Sequence, residues 1–168
     1  MSESARSNFV LQQGFRDASP ASCAARYPAL MWQPRVIGAI VVIGLVLQAW
    51  PVFLVLSAVL WWNALLPALN PFDALYNRLV AEPRKSTRLT PAPPPRRFAQ
   101  AMAATFTLGI GLALLLGQTT VAYVLEAFLV IALTALLVGQ FCLGSYLWHL
   151  ATGDARFANR TLPWVKPT

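Results

Sequence analysis

Cys142, Ser145 and His149 lie in FCLGSYLWHL, residues 141–150, and are the residue types from which thiol chemistry is built. Cys142-Leu-Gly-Ser145 has the spacing of a CxxC redox pair, with a hydroxyl where the second thiol would stand. The stretch therefore reads as a working site, the remains of one, or a piece of helix. On one continuous helix Cys142 and Ser145 are three apart and Ser145 and His149 four apart, so all three share roughly one face. Cys142 and His149 would still be about 10 Å apart along the axis, too far for a thiolate–imidazolium pair without a bend. Near the C-terminal end of such a helix the dipole is negative, which suits a cationic His149 and opposes a thiolate. The three are candidate catalytic residues, weighed against a packing role that the dipole favours. One thiol and one imidazole are too few ligands for a typical zinc site, so no metal and no cofactor is expected.

A second polar set is Glu126 with Gln48 and Gln118. Each of these costs free energy inside a bilayer unless it finds a partner or water. Glu126 is either a proton or cation site, or a carboxyl group satisfied by the two glutamines and favoured at a helix start. The membrane segments hold neither a second carboxylate nor a lysine to complete a relay, which argues against ion transport by this chain alone.

The elements that position these residues follow from composition. The chain is 57% hydrophobic and only 11% charged, whereas soluble domains carry about a quarter charged residues. This composition predicts an integral membrane protein. Val36 to Leu69 and Phe98 to Leu150 contain one formally charged side chain, Glu126. Each block is too long for a single span of about 20 residues. Trp50-Pro51 divides the first, because proline opens a helix well and interrupts one badly. Gly117-Gln-Thr-Thr120 divides the second. The predicted fold is all-α, with four transmembrane helices as two hairpins. The helices cover about Arg35–Trp50, Pro51–Leu69, Arg97–Leu116 and Thr120–Ala151, and the last is long enough to project beyond the bilayer. The expected organisation is a cytoplasmic N-terminal segment (1–34), a membrane domain (35–152, including a cytoplasmic loop, 70–97) and a cytoplasmic tail (153–168).

All 13 basic residues fall on one side of this arrangement, and the two opposite turns carry no charge. The positive-inside rule then puts both termini and the central loop in the cytoplasm. A pI near 10.3 is explained by this orientation and by attraction to anionic lipid, without a nucleic-acid partner. The apolar stretch starts near residue 36, too late for a cleavable signal peptide. The Ser/Ala/Arg-rich first 30 residues faintly resemble a transit peptide, against which Glu3 and Asp17 count. A solvated or interfacial tail is expected there, with Cys23 reduced and no structural disulfide.

Asn70-Pro71 opens a short interfacial helix in the central loop, by side-chain capping and by proline at the first helical position. Phe72, Leu75, Tyr76, Leu79 and Val80 recur at helical spacing against Asp73, Asn77 and Arg78, a pattern that predicts burial of the apolar set in lipid or protein. Pro91, Pro93, Pro94 and Pro95 form a stiff spacer, or alternatively a ligand for a proline-recognising domain. Arg96 and Arg97 are expected to meet lipid headgroups. Ala99, Ala103, Thr107 and Gly111 are four apart on the third helix, and Gly109 with Ala113 adds a second small pair. A neighbouring backbone can approach along such a stripe; the first or fourth helix is the expected partner.

The order of apolar hairpin, Asn-Pro segment, PAPPPRRFAQ (Pro91–Gln100) and a second hairpin ending GQFCLGSYLW (Gly139–Trp148) resembles a bacterial membrane family known as domain of unknown function 4395. The resemblance covers about residues 33–152. It implies four helices, a Pro-x-x-x-Arg-Phe-Ala segment before the third and a Gly-Phe-Cys-x-Gly-Cys segment ending the fourth. The paired cysteines imply membrane thiol or sulfur chemistry, and this chain departs from them at Ser145. The primary expectation is a non-catalytic inner-membrane protein serving as scaffold or accessory subunit. Its partners would be lipid, other membrane subunits or a second copy. The alternatives are a thiol-linked redox or sulfur-handling protein using Cys142, and a small transporter using Glu126.

Overall fold

The computed structural model describes residues 3–16 and 19–165; Asp17 and Lys166, which entered the sequence reading, lie outside them. Every regular element among the described residues is helical. In chain order they are α1 (Glu3–Gln12), α2 (Pro20–Leu30), α3 (Trp32–Leu47), α4 (Trp50–Leu65), α5 (Pro71–Tyr76), α6 (Glu82–Arg84), α7 (Pro94–Leu115), α8 (Thr119–Leu137), α9 (Leu143–Ala151) and α10 (Ala155–Arg160). A wider π turn, Asn77–Ala81, joins α5 to α6.

The structure is that of a membrane helical protein. Three helical stretches are long and apolar enough to cross a bilayer: Ala21–Leu47, Pro94–Leu115 and Thr119–Leu137. The apolar α4 is shorter. Val46 of α3 and Val124, Phe128 and Ile131 of α8 are exposed. Lipid can solvate such surfaces because helix backbones satisfy their own hydrogen bonds.

The turn residues act where the sequence suggested, with shifted boundaries. Gln48, with φ of 44°, ends α3 in the left-handed conformation, and Pro51 lies in the first turn of α4. Asn70 caps α5, its side chain accepting from the amides of Phe72 at 3.0 Å and Asp73 at 3.4 Å. Pro94 starts α7 one turn earlier than Arg97.

The small-residue face of α7 packs most closely against α4, the second of the expected spans, and its Ala99 and Gly109 also meet the expected fourth helix, at Gly144 and Leu125. Ser57 of α4 donates to the Ala104 carbonyl of α7 at 2.8 Å. A Cβ on Gly111 would come within 2.6 Å of the Leu54 side chain, so glycine is what lets these two backbones approach. Gly109 faces Leu125 of α8.

The long last helix is not continuous. α8 stops at Leu137, and Gln140 takes φ of 54°. The Phe141 amide reaches back six positions to the Ala135 carbonyl at 3.0 Å, and the Gly139 amide five positions to the Thr134 carbonyl at 3.3 Å, which together close the helix end. A Cβ on Gly139 would sit 2.6 Å from the Ala135 carbonyl oxygen, so only glycine fits. Two glycines serve separate purposes around this break. Gly139 ends α8, and Gly144 lets α9 rest on Ala99 of α7.

The N-terminal segment is not a solvated tail. Phe9 and Val10 of α1 and Cys23 and Tyr27 of α2 are buried in one cluster with Tyr76, Leu89 and Cys142. Removing an aromatic or branched side chain from water contributes about 1.5–3 kcal/mol, which anchors α1 and α2 under the helix bundle. A second cluster, including Val41, Phe53, Leu60, Ala104, Ile110 and Leu129, forms the core between the apolar helices.

Candidate functional site

The break after α8 re-sites Cys142. It is the residue that precedes α9, in extended conformation, and it accepts the first helical bond from the Tyr146 amide at 3.0 Å. Cys142 therefore stands at the positive start of a helix rather than the negative end of one, so the dipole argument for an inert sulfur no longer applies, although its side chain makes no capping bond to the helix amides. Ser145, fully buried one turn later, places its hydroxyl 3.3 Å from the Cys142 sulfur and 3.3 Å from the Pro95 carbonyl. A hydroxyl has one proton. It can be given either to the Pro95 carbonyl or to the Cys142 sulfur.

Gln12 of α1, which the sequence reading passed over, fixes this corner. Its side-chain oxygen accepts from the Cys142 amide at 2.9 Å, and its backbone carbonyl meets His149 Nε2 at 3.0 Å. The available signal was Asn8 and Gln12, four apart and flanking Phe9-Val10, which is the pattern of a helix face that buries amides beside apolar groups. Asn8 donates to the carbonyls of Leu162 and Val165, so the C-terminal segment also clasps α1.

His149 does not join the thiol. The Gln12 carbonyl requires a proton on Nε2, which leaves Nδ1 to accept from Arg16 at 3.3 Å. Its ring packs edge-on against Phe157, and Arg16 also pairs with Asp154. Burial pushes the imidazole below its ordinary range; the Gln12 carbonyl opposes this, Arg16 adds to it, and Asp154 pulls the other way. The hydrogen bond from Arg16 holds the Asp154 carboxyl below the usual carboxylate range.

The pH sign follows. Folding favours neutral His149, so its contribution is complete above the ordinary imidazole value of about 6.5. It is lost as pH falls below that, because the unfolded chain binds the proton more readily. His149→Gln, which keeps a donor for the Gln12 carbonyl, should flatten the stability profile of the full chain as pH falls below about 6.5. Chemical unfolding in lipid nanodiscs across that range checks it; an unchanged slope would assign the acid sensitivity to other groups.

The two arginines expected at headgroups are engaged by protein. Arg96 is 5% exposed, and its guanidinium donates to Asp73 at 2.7 and 3.2 Å and to the Gln33 side chain at 2.7 Å. Arg97 is half-buried and donates to the Ala64 carbonyl at 2.8 Å, satisfying an orphan group at the end of α4. Asp73 is thus not on a solvated face; it and Tyr76 turn inward while Leu75 and Leu79 are exposed.

Cys142 lines two spaces. One is a cavity of about 90 Å³ with Gln13, Gln33, Arg96 and Gln100 in its walls. The other is an apolar cleft of about 370 Å³ between α7, α8 and α9, running out to Phe128 and Ile131. Ala99, Ala103, Leu133, Leu136 and Cys142 belong to both linings.

Residues 28–152 match the model of a family described as Domain of unknown function (DUF4395). The chain belongs to this family. No curated protein and no solved structure matches it. Cys142, Ser145 and His149 lie within the matched region, whereas Gln12, Arg16, Asp154 and Phe157 lie outside it.

The other polar set is at the opposite turns. Glu126 is buried and receives the Gln48 amide at 3.3 Å on each carboxylate oxygen, while Gln48 also bonds the Leu45 carbonyl at 2.8 Å. Gln118 is exposed in the α7–α8 turn. The Gln48–Glu126 pair fastens the α3–α4 turn to α8. Among the described residues no group of three or more His, Cys, Asp or Glu side chains is placed to hold a metal ion.

Proposed function

We propose that this chain is a four-span protein of the bacterial inner membrane, arranged as two hairpins with both termini in the cytoplasm, that carries a single-thiol exchange site at Cys142. The observation that supports the thiol reading best is the place of Cys142 at the start of α9, with the Ser145 hydroxyl 3.3 Å from its sulfur. In the exchange, the Cys142 thiolate attacks one sulfur of a disulfide, a new S–S bond forms, and the other sulfur leaves as a thiolate that takes up the released proton. The helix start and the Ser145 proton both place positive potential where charge builds. Ser145 cannot resolve the mixed disulfide, so an external thiol completes the cycle.

Exposure of the full chain in lipid nanodiscs to an apolar aromatic disulfide, followed by peptide mapping, tests this. Cys142 should be modified and then restored by added thiol, and Ser145→Ala should slow the step roughly threefold to tenfold. A Cys142 that reacts only after denaturation would sink the reading.

The outward faces of α3 and α8 support a second role. Val42, Val46, Phe128 and Ile131 are exposed and suit lipid or another membrane subunit, so the chain can also serve as an accessory subunit. Co-purification from native membranes distinguishes a complex from a lone chain.

A further inference from the structure

Two glutamines that line the cavity beside Cys142 carry buried polar atoms that the fold leaves unused. Gln33 and Gln100 are 2% and 6% exposed and both line it. The Gln33 side-chain oxygen accepts from Arg96 at 2.7 Å and from the Gln100 amide at 3.0 Å. That arrangement fixes which end of each amide is which, because an oxygen must face the two donors. It leaves the Gln33 Nε2 donor and the Gln100 Oε1 acceptor without a partner. Such buried orphans are uncommon and call for water, an ion or a ligand.

The charge of the pocket limits the choice. Arg96 is matched by Asp73 through two hydrogen bonds, so its formal charges cancel. A neutral head that both accepts and donates fits Gln33 and Gln100; an ion has no counter-charge there. Cys142 also lines the apolar cleft, whose rim includes Phe128 and Ile131, 57% and 65% exposed. An aliphatic chain leaving by that cleft would reach the outer apolar surface. Phe9, Gln13 and Pro34 wall the cavity where α1 and α3 cover it.

We infer that the exchange partner of Cys142 is a membrane-soluble, single-chain amphipathic disulfide whose neutral polar end hydrogen-bonds to Gln33 and Gln100 and whose aliphatic part occupies the cleft between α7, α8 and α9. This rests on the thiol reading above and names its substrate class. The substrate itself is the oxidant: one of its sulfurs bonds to Cys142, its S–S bond breaks, and the departing thiolate is protonated.

The test compares three synthetic disulfides on the full chain in lipid nanodiscs: an alkyl disulfide ending in a primary carboxamide, its methyl ester, and the short water-soluble 2-hydroxyethyl disulfide. The ester accepts but does not donate, leaving Gln100 unpaired, so the carboxamide should modify Cys142 at least about tenfold faster. Gln100→Leu should remove that preference. Ala132→Phe, a half-buried position on the cleft wall, should slow both alkyl probes while leaving the short reagent unchanged, and does not depend on Gln100→Leu folding. Equal rates for carboxamide and ester, or faster reaction with the short reagent, would overturn this inference and leave the thiol reading standing, with water as the cavity's occupant. No reaction with any of the three would overturn both.

Discussion

Asp73→Ala lowers the unfolding free energy of the full chain by about 3–5 kcal/mol. Asp73 is supplied by α5, Arg96 by the first turn of α7 and Gln33 by α3, so three segments far apart in sequence meet at one buried charge pair. Both ionic side chains are almost closed to solvent, at 5% and 8% exposure. Removing the carboxylate leaves a guanidinium in a low-dielectric site with only the Gln33 oxygen to receive it. The pair itself need not be a net source of stability, since two desolvated charges cost nearly as much as their attraction returns. Asp73→Leu combined with Arg96→Met should therefore recover most of the loss. Denaturant unfolding followed by circular dichroism in detergent measures both; a double variant as unstable as the single one would show that the two residues are not coupled.

Gly144→Ala has the second largest expected effect, a destabilisation of about 1–3 kcal/mol from overpacking. A Cβ at this position would lie 2.6 Å from the Ala99 Cα and 2.7 Å from its Cβ. Backbone atoms cannot move aside as a side-chain tip can, so α9 must lift from α7. Cys142 and Ser145 move with it, and thiol exchange at Cys142 should fall along with stability. Ala99→Gly in the same chain removes one of the two clashing atoms and should restore only part of the loss. Unfolding midpoints of the two variants, measured alongside the exchange rate, separate packing from chemistry.

Residue types made much of this architecture legible in advance. Uncharged apolar blocks marked the membrane helices, Pro51 and Asn70-Pro71 marked helix starts, and the four-residue spacing of alanine, threonine and glycine marked the close-packed face of α7. These are local signals, carried by neighbours in sequence. Interactions between distant segments were the hidden part. Arg96 looks like a headgroup anchor until Asp73 and Gln33 are placed beside it. Gln12 looks like part of a polar tail until it bonds the Cys142 amide. The break at Gln140 was hidden for a different reason: a left-handed glutamine has no strong sequence signature, and the apolar pattern runs through it without a change of period. That one turn reverses the electrostatic setting of the only intact thiol of the motif. The two orphaned amide atoms in the adjoining cavity were invisible for the same reason as Arg96, since satisfaction of a buried amide depends on three separate helices.

The most direct measurement is the state of Cys142 in native membranes. Cells producing the full chain are quenched in acid, free thiols are blocked, and reducible adducts are then released and mapped by mass spectrometry. The thiol-exchange account predicts that part of the Cys142 population carries a reducible partner and that the fraction rises under mild oxidation. A Cys142 recovered entirely as free thiol, before and after oxidation, would contradict it.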